Sequence, residues 1–406
     1  MREGLVFDFE RYPYLTPEIP GLSGVIRQAS DEFQVTEVPA YLPRGEGEHL
    51  YVWLEKRDLT TRAVFELLRD ELGVAEKNIG VAGLKDKHAL TRQWFSIPAK
   101  YENRLSLLER HSGVRVLETA LHTNKLRVGH LRGNQFRILI RVLEEAASKG
   151  QKAEGKKLST LRYQPSASIR TVFATLQAKG VPNYFGPQRF GLGGLHPGKG
   201  YELVTKGGRR GDPWLGRFLI GSLQSLMFND WLALRLERGL FDRVVQGDVA
   251  KKHDTGGEFV VEDAEVESPR AQRLEISATG ALFGKKYREA QGEARALEDE
   301  ILARYELSRE QFASRRGDRR LIRFPLQEWS VEEVEEGIWV SFFLPKGELQ
   351  DRKSQKKLMA TRMRTRRWPR AVLSRPGHKA TRRRKPASRQ NTRRHGRSTP
   401  RFGLER

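Results

Sequence analysis

An aspartate set between two lysines is the first arrangement in this chain that could do chemistry. In Val81-Ala-Gly-Leu-Lys-Asp-Lys-His-Ala-Leu-Thr-Arg-Gln-Trp-Phe-Ser-Ile-Pro98, Asp86 follows a glycine-containing turn and stands between Lys85 and Lys87. Two adjacent ammonium groups favour the carboxylate, so Asp86 is expected to be ionised and acceptor-only at neutral pH. Such a carboxylate can serve as a nucleophile or a base with no metal beside it. Composition alone equally allows an ordinary solvated turn with three charges pointing outward.

Other chemistries are excluded by what is missing. The chain has no cysteine, which removes disulfides, Cys-ligated zinc, iron–sulfur clusters, Cys nucleophiles and the zinc-dependent nucleobase deaminases. Gly193 to Gly200 (GGLHPGKG) imitates a phosphate-binding loop through Gly193, Gly198 and Lys199. Gly200, however, stands where a Ser or Thr would hold magnesium, so a flexible surface loop is expected there instead. Phe190 to Gly194 (FGLGG) is likewise no dinucleotide fingerprint. No metal site and no cofactor are expected.

The elements that must position Asp86 alternate between strand and helix. His49 to Arg57 (HLYVWLEKR) has the alternation of a half-buried strand, and Thr60-Thr61 can cap a following helix. Val64, Leu67, Leu68 and Leu72 share one face of that helix, with Gly73 as its stop. Arg92 to Ile97 and Phe136 to Val142 have strand character, the latter placing Phe136, Ile138, Ile140 and Val142 on one side. Glu144 to Ser159 is polar and lysine-rich, a surface connection. A second region, from about Gly180 to Gly317, contains a helix over Ser222 to Arg238 carrying Leu223, Leu226, Met227, Trp231 and Leu234. Trp329 to Leu344 returns to strand character. The pattern predicts an α+β fold with a mixed, largely antiparallel sheet. Residues 1–180 with 318–350 are expected to form the main domain, and 181–317 an inserted α+β domain.

The net charge of +23 is concentrated at one end. Residues 352–406 hold 21 lysines and arginines against one acid, Glu405, a balance of +20 that leaves +3 for the remainder. The body is nearly neutral, so overall charge says little about what it binds. The segment 351–406 offers too little apolar surface to offset chain entropy and is expected to be disordered. No apolar run reaches the ~18 residues of a membrane helix, and the first residues lack a signal-peptide core. A cytoplasmic protein is expected.

The string Gly83-Leu-Lys-Asp-Lys-His-Ala, continuing into Thr91-Arg-Gln-Trp-Phe-Ser, closely resembles the catalytic segment of the TruD family of pseudouridine synthases. Pro182-Asn-Tyr-Phe-Gly-Pro-Gln-Arg-Phe-Gly191 is similar to that family's other hallmark. Further similar strings are Asp31-Glu-Phe-Gln-Val-Thr-Glu37, Gly45-Glu-Gly-Glu-His-Leu-Tyr51, Gly133-Asn-Gln-Phe136 and Thr279-Gly-Ala-Leu-Phe-Gly284. They run in the family's order across residues 20 to 347.

The resemblance implies a cofactor-free isomerisation of uridine to pseudouridine, with Asp86 as the catalytic carboxylate and Lys85 beside it. It implies that Arg27, six positions before Phe33, is the supporting cation. Phe33, Asn134 and Phe136 would bind the extracted base, and Arg189 would reach phosphate or pair with an internal acid. Periodicity alone also makes Phe136 a core residue. The implied substrate is tRNA, at the uridine of position 13, and the implied working form is a monomer in the cytoplasm. A non-catalytic RNA-binding or RNA-folding protein that keeps the cleft is the alternative. It draws on the chain's departure after Leu344-Pro-Lys-Gly347, where Leu349 replaces an aromatic and composition jumps. That jump has the character of a reading-frame change or of a basic tail particular to this lineage.

Overall fold

The computed structural model describes residues 5–143, 165–206 and 212–345. The first part contains β1 (Gly24–Ile26), β2 (Phe33–Pro39), β3 (His49–Arg57), α1 (Thr61–Asp70), β4 (Gly80–Val81), β5 (Leu90–Pro98), β6 (Val114–His122) and β7 (Leu131–Val142). Next come α2 (Pro165–Lys179), β8 (Val181–Pro182), α3 (His196–Lys206) and α4 (Pro213–Glu237). They are followed by β9 (Val249–Lys252), β10 (Glu258–Val260), α5 (Ala264–Gln272), β11 (Ile276–Leu282) and α6 (Gly292–Arg304). The described chain closes with β12 (Asp318–Leu321), β13 (Arg323–Phe324), β14 (Gln327–Val334) and β15 (Gly337–Pro345).

Among the described residues, nine strands form one sheet in the order β14-β15-β7-β2-β5-β3-β6, with β1 joined to β7 and β4 to β5. Neighbours pair antiparallel except β2 and β5, where Gln34, Val35 and Thr36 lie opposite Leu90, Thr91 and Arg92 in parallel. The expected α+β fold with a mixed, largely antiparallel sheet is what the chain adopts. Strand β2 is central, and both the residues before it and the segment entering β5 meet there. That adjacency builds the site.

Helix α1 follows its sequence signals. The Thr60 side chain accepts from the Ala63 N–H, Val64, Leu68 and Leu72 are buried, and Gly73 takes a positive φ. These residues pack on Leu50, Val52, Leu54, Phe95 and Ile97. Helix α2 covers the other half of the sheet, setting Ile169, Phe173 and Leu176 against Phe136, Ile138, Val340 and Phe342.

A separate core surrounds α4, and Leu223, Leu226, Met227, Trp231 and Leu234 are all buried in it, as their spacing predicts. The four-stranded sheet β10-β9-β11-β12 contributes to the same region. Two features depart from the expected domain limits. Leu5, Phe7 and Tyr12 lie in this second core, with Phe7 stacked on Phe190 at 3.9 Å. Strand β12 pairs with β11, so the chain leaves the second sheet only at β13. All described residues belong to one compact unit.

Two local expectations are corrected. The glycine-rich run at 193–200 is not a flexible loop, because His196 to Lys206 are helical. A Cβ at Gly200 would collide with the Leu219 carbonyl, so this glycine lets α3 approach α4. Helix α4 starts at Pro213, capped by Asp212, well before Ser222. Trp329 to Leu344 has the expected strand character and falls within the β14–β15 hairpin. Among the described residues, no helix is long and apolar enough to cross a membrane. The connection at 144–159, Leu349 and the tail lie outside the described residues.

Candidate active site

Asp86 lies in the connection from β4 to β5, and buried polar groups fix that connection on both sides. Gln93 Nε2 donates to the Gly83 carbonyl at 3.0 Å, and the Lys85 N–H donates to Thr61 Oγ1 at 2.8 Å. The Thr61 hydroxyl in turn donates to Gln93 Oε1 at 3.1 Å. Lys56, fully buried, extends its ammonium to the carbonyls of Leu59 at 2.6 Å and Asp86 at 2.9 Å. Buried donors and acceptors left unpaired would each destabilise the fold by roughly 1–3 kcal/mol, so the network holds one conformation.

The structure reassigns the two flanking lysines. Lys85 turns inward, and its Nζ donates to Glu37 Oε2 at 2.7 Å, both side chains being buried. Lys87 is exposed. The cation that faces the Asp86 carboxylate is Arg27, with Nη2 at 3.4 Å from Oδ2. The Lys85 ammonium is occupied by Glu37 on the inward side, so adjacency in sequence does not bring it to the Asp86 carboxylate. Lys85 therefore ties the Asp86 segment to β2 through Glu37.

Arg27 is held in an unusual way. Its backbone has φ +62°, the left-handed region that L-residues with a Cβ seldom adopt. Its guanidinium lies over the Phe33 ring, 3.4 Å from the centroid. Burial lowers the Arg27 pKa from its usual value, and the Asp86 carboxylate opposes that shift. Among the described residues, its Nε is buried without a hydrogen-bond partner. Strained backbone and incomplete pairing in one residue are features that cluster at functional sites.

The residues expected to hold the base divide into two groups. Asn134 sits opposite Glu37 in the β2–β7 register, and its Oδ1 is buried with no hydrogen-bond partner among the described residues. An amide oxygen in that state retains its capacity to accept a hydrogen bond. Phe33 and Phe136 do not offer free ring faces. Phe33 is fully buried beneath Arg27, and Phe136 stacks on Phe342 at 5.3 Å within the core. The period-two alternation of β7 places Phe136 there. Arg189 donates from Nε to Ser225 Oγ at 3.0 Å and lies near the rings of Phe185 and Phe218.

Glu37, Lys56, Thr61 and Gln93, whose side chains hold the Asp86 segment, were not singled out in the sequence. Their signal was available only as polar residues at inward positions of strands and at a helix start.

Residues 11–196 and 209–349 match the family model of tRNA pseudouridine synthase D (TruD). The chain belongs to the TruD family. A tRNA pseudouridine synthase D of Thermus thermophilus is 65% identical over 343 residues, covering 84% of this chain and 91% of the relative. The protein of that name from an Anaeromyxobacter species (strain Fw109-5) is 42% identical over 345 residues, covering 82% and 92%. A solved TruD structure from Methanosarcina mazei shares the fold, with a TM-score of 0.67 at 22% identity, covering 89% of this chain and 97% of that one.

In this TruD-family chain the buried Lys85–Glu37 pair makes a clear stability prediction. Removing one partner strands a buried charge, so Glu37→Met or Lys85→Met destabilises by about 3–5 kcal/mol. The double variant recovers a large part of that loss, because no charge is left unpaired. Urea midpoints of the four proteins check it, and a double variant as unstable as the sum of the singles would contradict the pairing.

Proposed function

We propose that this chain isomerises uridine to pseudouridine in tRNA, with the uridine at position 13 as its target. The observation that carries the proposal is the Asp86 carboxylate, partly open to solvent and faced by Arg27, on a segment locked from both sides. Family membership supports it.

The isomerisation breaks the bond from uracil N1 to ribose C1′, turns the base, and joins C5 to the same carbon. The C5 hydrogen leaves as a proton and N1 ends protonated. Atoms and electrons balance within the nucleoside, so the reading assigns no cofactor and no metal. Asp86 supplies the carboxylate at the ribose, by attack on C1′ or by removal of a ribose proton. Arg27 orients it, with Phe33 supporting the guanidinium from beneath. Asn134 Oδ1 accepts from the uracil N–H while the base is detached, and Arg189 serves backbone phosphate. The reading takes the protein to act as a monomer in the cytoplasm.

The test is a map of the product. After incubation with unmodified tRNA, carbodiimide treatment leaves a stable adduct on pseudouridine that stops reverse transcription. A stop assigned to position 13 is expected. Product at other positions alone would overturn the assignment of the target. A non-catalytic RNA-binding or RNA-folding protein that keeps the cleft is the second reading, favoured by Leu349 where the family has an aromatic. It predicts binding with no stop at any uridine.

The charge distribution makes a separate prediction. Residues 352–406 carry +20 of the +23 total, so they dominate sequence-independent affinity. Each phosphate contact contributes roughly −0.9 to the slope of log K against log salt on duplexes, and roughly −0.7 on single strands. Deleting everything after Asp351 flattens that slope and weakens binding to random RNA, while the choice among uridines persists. An unchanged slope in a salt titration would contradict this role of the tail.

A further inference from the structure

Residues 84 to 86 alternate sharply in exposure. The Leu84 residue is 65% exposed, the Lys85 side chain 5% and the Asp86 side chain 19%. Leu84 thus reaches into solvent and Asp86 is partly open to it, while Lys85 anchors the segment inward on Glu37.

An exposed leucine is ordinary by itself. What sets Leu84 apart is that it cannot retract. The carbonyl before it, of Gly83, is held by Gln93, and the N–H after it, of Lys85, is held by Thr61. The Lys85 ammonium is fixed to Glu37, and the Asp86 carbonyl to Lys56. These buried groups hold the segment and leave one large apolar side chain projecting into water, two residues from the carboxylate. A side chain kept in water by a rigid support is placed to meet something that arrives from solvent.

We propose that Leu84 is an extraction wedge: it enters the RNA stack beside the target uridine and occupies the space that the base leaves when it moves to Asp86. The inference rests on the proposed synthase activity. An enzyme acting on a stacked base must offset the unstacking energy, a few kcal/mol that is smallest for a base already unpaired. An apolar side chain in the vacated space recovers stacking contact and keeps water out, and it contributes nothing to bond breaking. Its effect should therefore depend on how the target is held before binding.

The experiment measures kcat/KM of the wild type and of Leu84→Ala and Leu84→Met, following tritium release from uridine labelled at C5. Two RNAs are used: folded tRNA with the target stacked in place, and a short single-stranded RNA of the same local sequence. On folded tRNA, Leu84→Ala is expected to lose about tenfold or more, a share of the unstacking energy. On the single strand it stays near wild type. Leu84→Met keeps the volume and retains most activity on both. An equal loss on both RNAs, or no loss on either, overturns the wedge while leaving the synthase reading intact. A wild type that releases no tritium from either RNA overturns the synthase reading, and the wedge with it.

Discussion

Asp86→Asn is expected to abolish pseudouridine formation while the protein still folds and still binds tRNA. Asparagine keeps the shape of the side chain and an oxygen that can accept from Arg27 Nη2, now 3.4 Å from the carboxylate. The interactions fixing the backbone, from Lys56, Thr61 and Gln93, do not involve the side chain at 86. Only the negative charge is removed. Loss of a group that attacks or deprotonates the substrate acts on a scale of roughly 10,000-fold or more in kcat. Nucleoside chromatography of digested tRNA reads the product, and filter binding reads the affinity. Residual turnover within about tenfold of wild type, on that scale, would show that Asp86 does not carry the chemistry.

Arg27→Ala is expected to have the next largest effect. It removes the cation facing Asp86 and uncovers the Phe33 ring. Loss of one preorganised charge-stabilising donor lowers kcat by about 100- to 1,000-fold, with KM nearly unchanged because Arg27 acts through the carboxylate. Arg27→Lys keeps the charge but loses the planar stacking on Phe33, so its activity falls between the two. Arg27→Gly separates chemistry from strain. At φ +62° glycine avoids the left-handed penalty of about 1–2 kcal/mol that alanine retains. Arg27→Gly should thus be more stable than Arg27→Ala and equally impaired in turnover. Wild-type kcat in Arg27→Ala would remove Arg27 from the account.

How much of this was legible in sequence depends on the range of the interaction. Strand β3 spans His49 to Arg57 as its alternation predicts, and α1 starts and stops at Thr60 and Gly73. Both are set by local signals. The start of α4 was not found from hydrophobic spacing, although Asp212-Pro213 is a capping pair; Gly216 and Gly221 interrupt the apolar stripe that follows. The β14–β15 hairpin turns at Glu335-Glu336, which carry no turn signature, and only Gly337 marks its end.

The site shows the same limit. Arg27 and Asp86 are 59 residues apart and Glu37 and Lys85 are 48 apart, so neither pair is visible to periodicity. The first pair came from resemblance to the TruD family. The second was replaced in expectation by the nearest charges, Lys85 and Lys87 around Asp86. For Phe136, alternation indicated a core position, and the ring is buried against Phe342.

The central claim, that this chain breaks and remakes the glycosidic bond of a uridine, is tested most directly by tritium at C5. Purified protein is incubated with tRNA whose uridines carry tritium at that carbon, and label released to water is counted over time. Joining C5 to C1′ displaces that hydrogen, whereas binding, folding or cutting the RNA leaves it in place. The account predicts release approaching one tritium per tRNA, at substoichiometric enzyme, with none from Asp86→Asn. No release above the Asp86→Asn background, from tRNA shown to be bound, would contradict it.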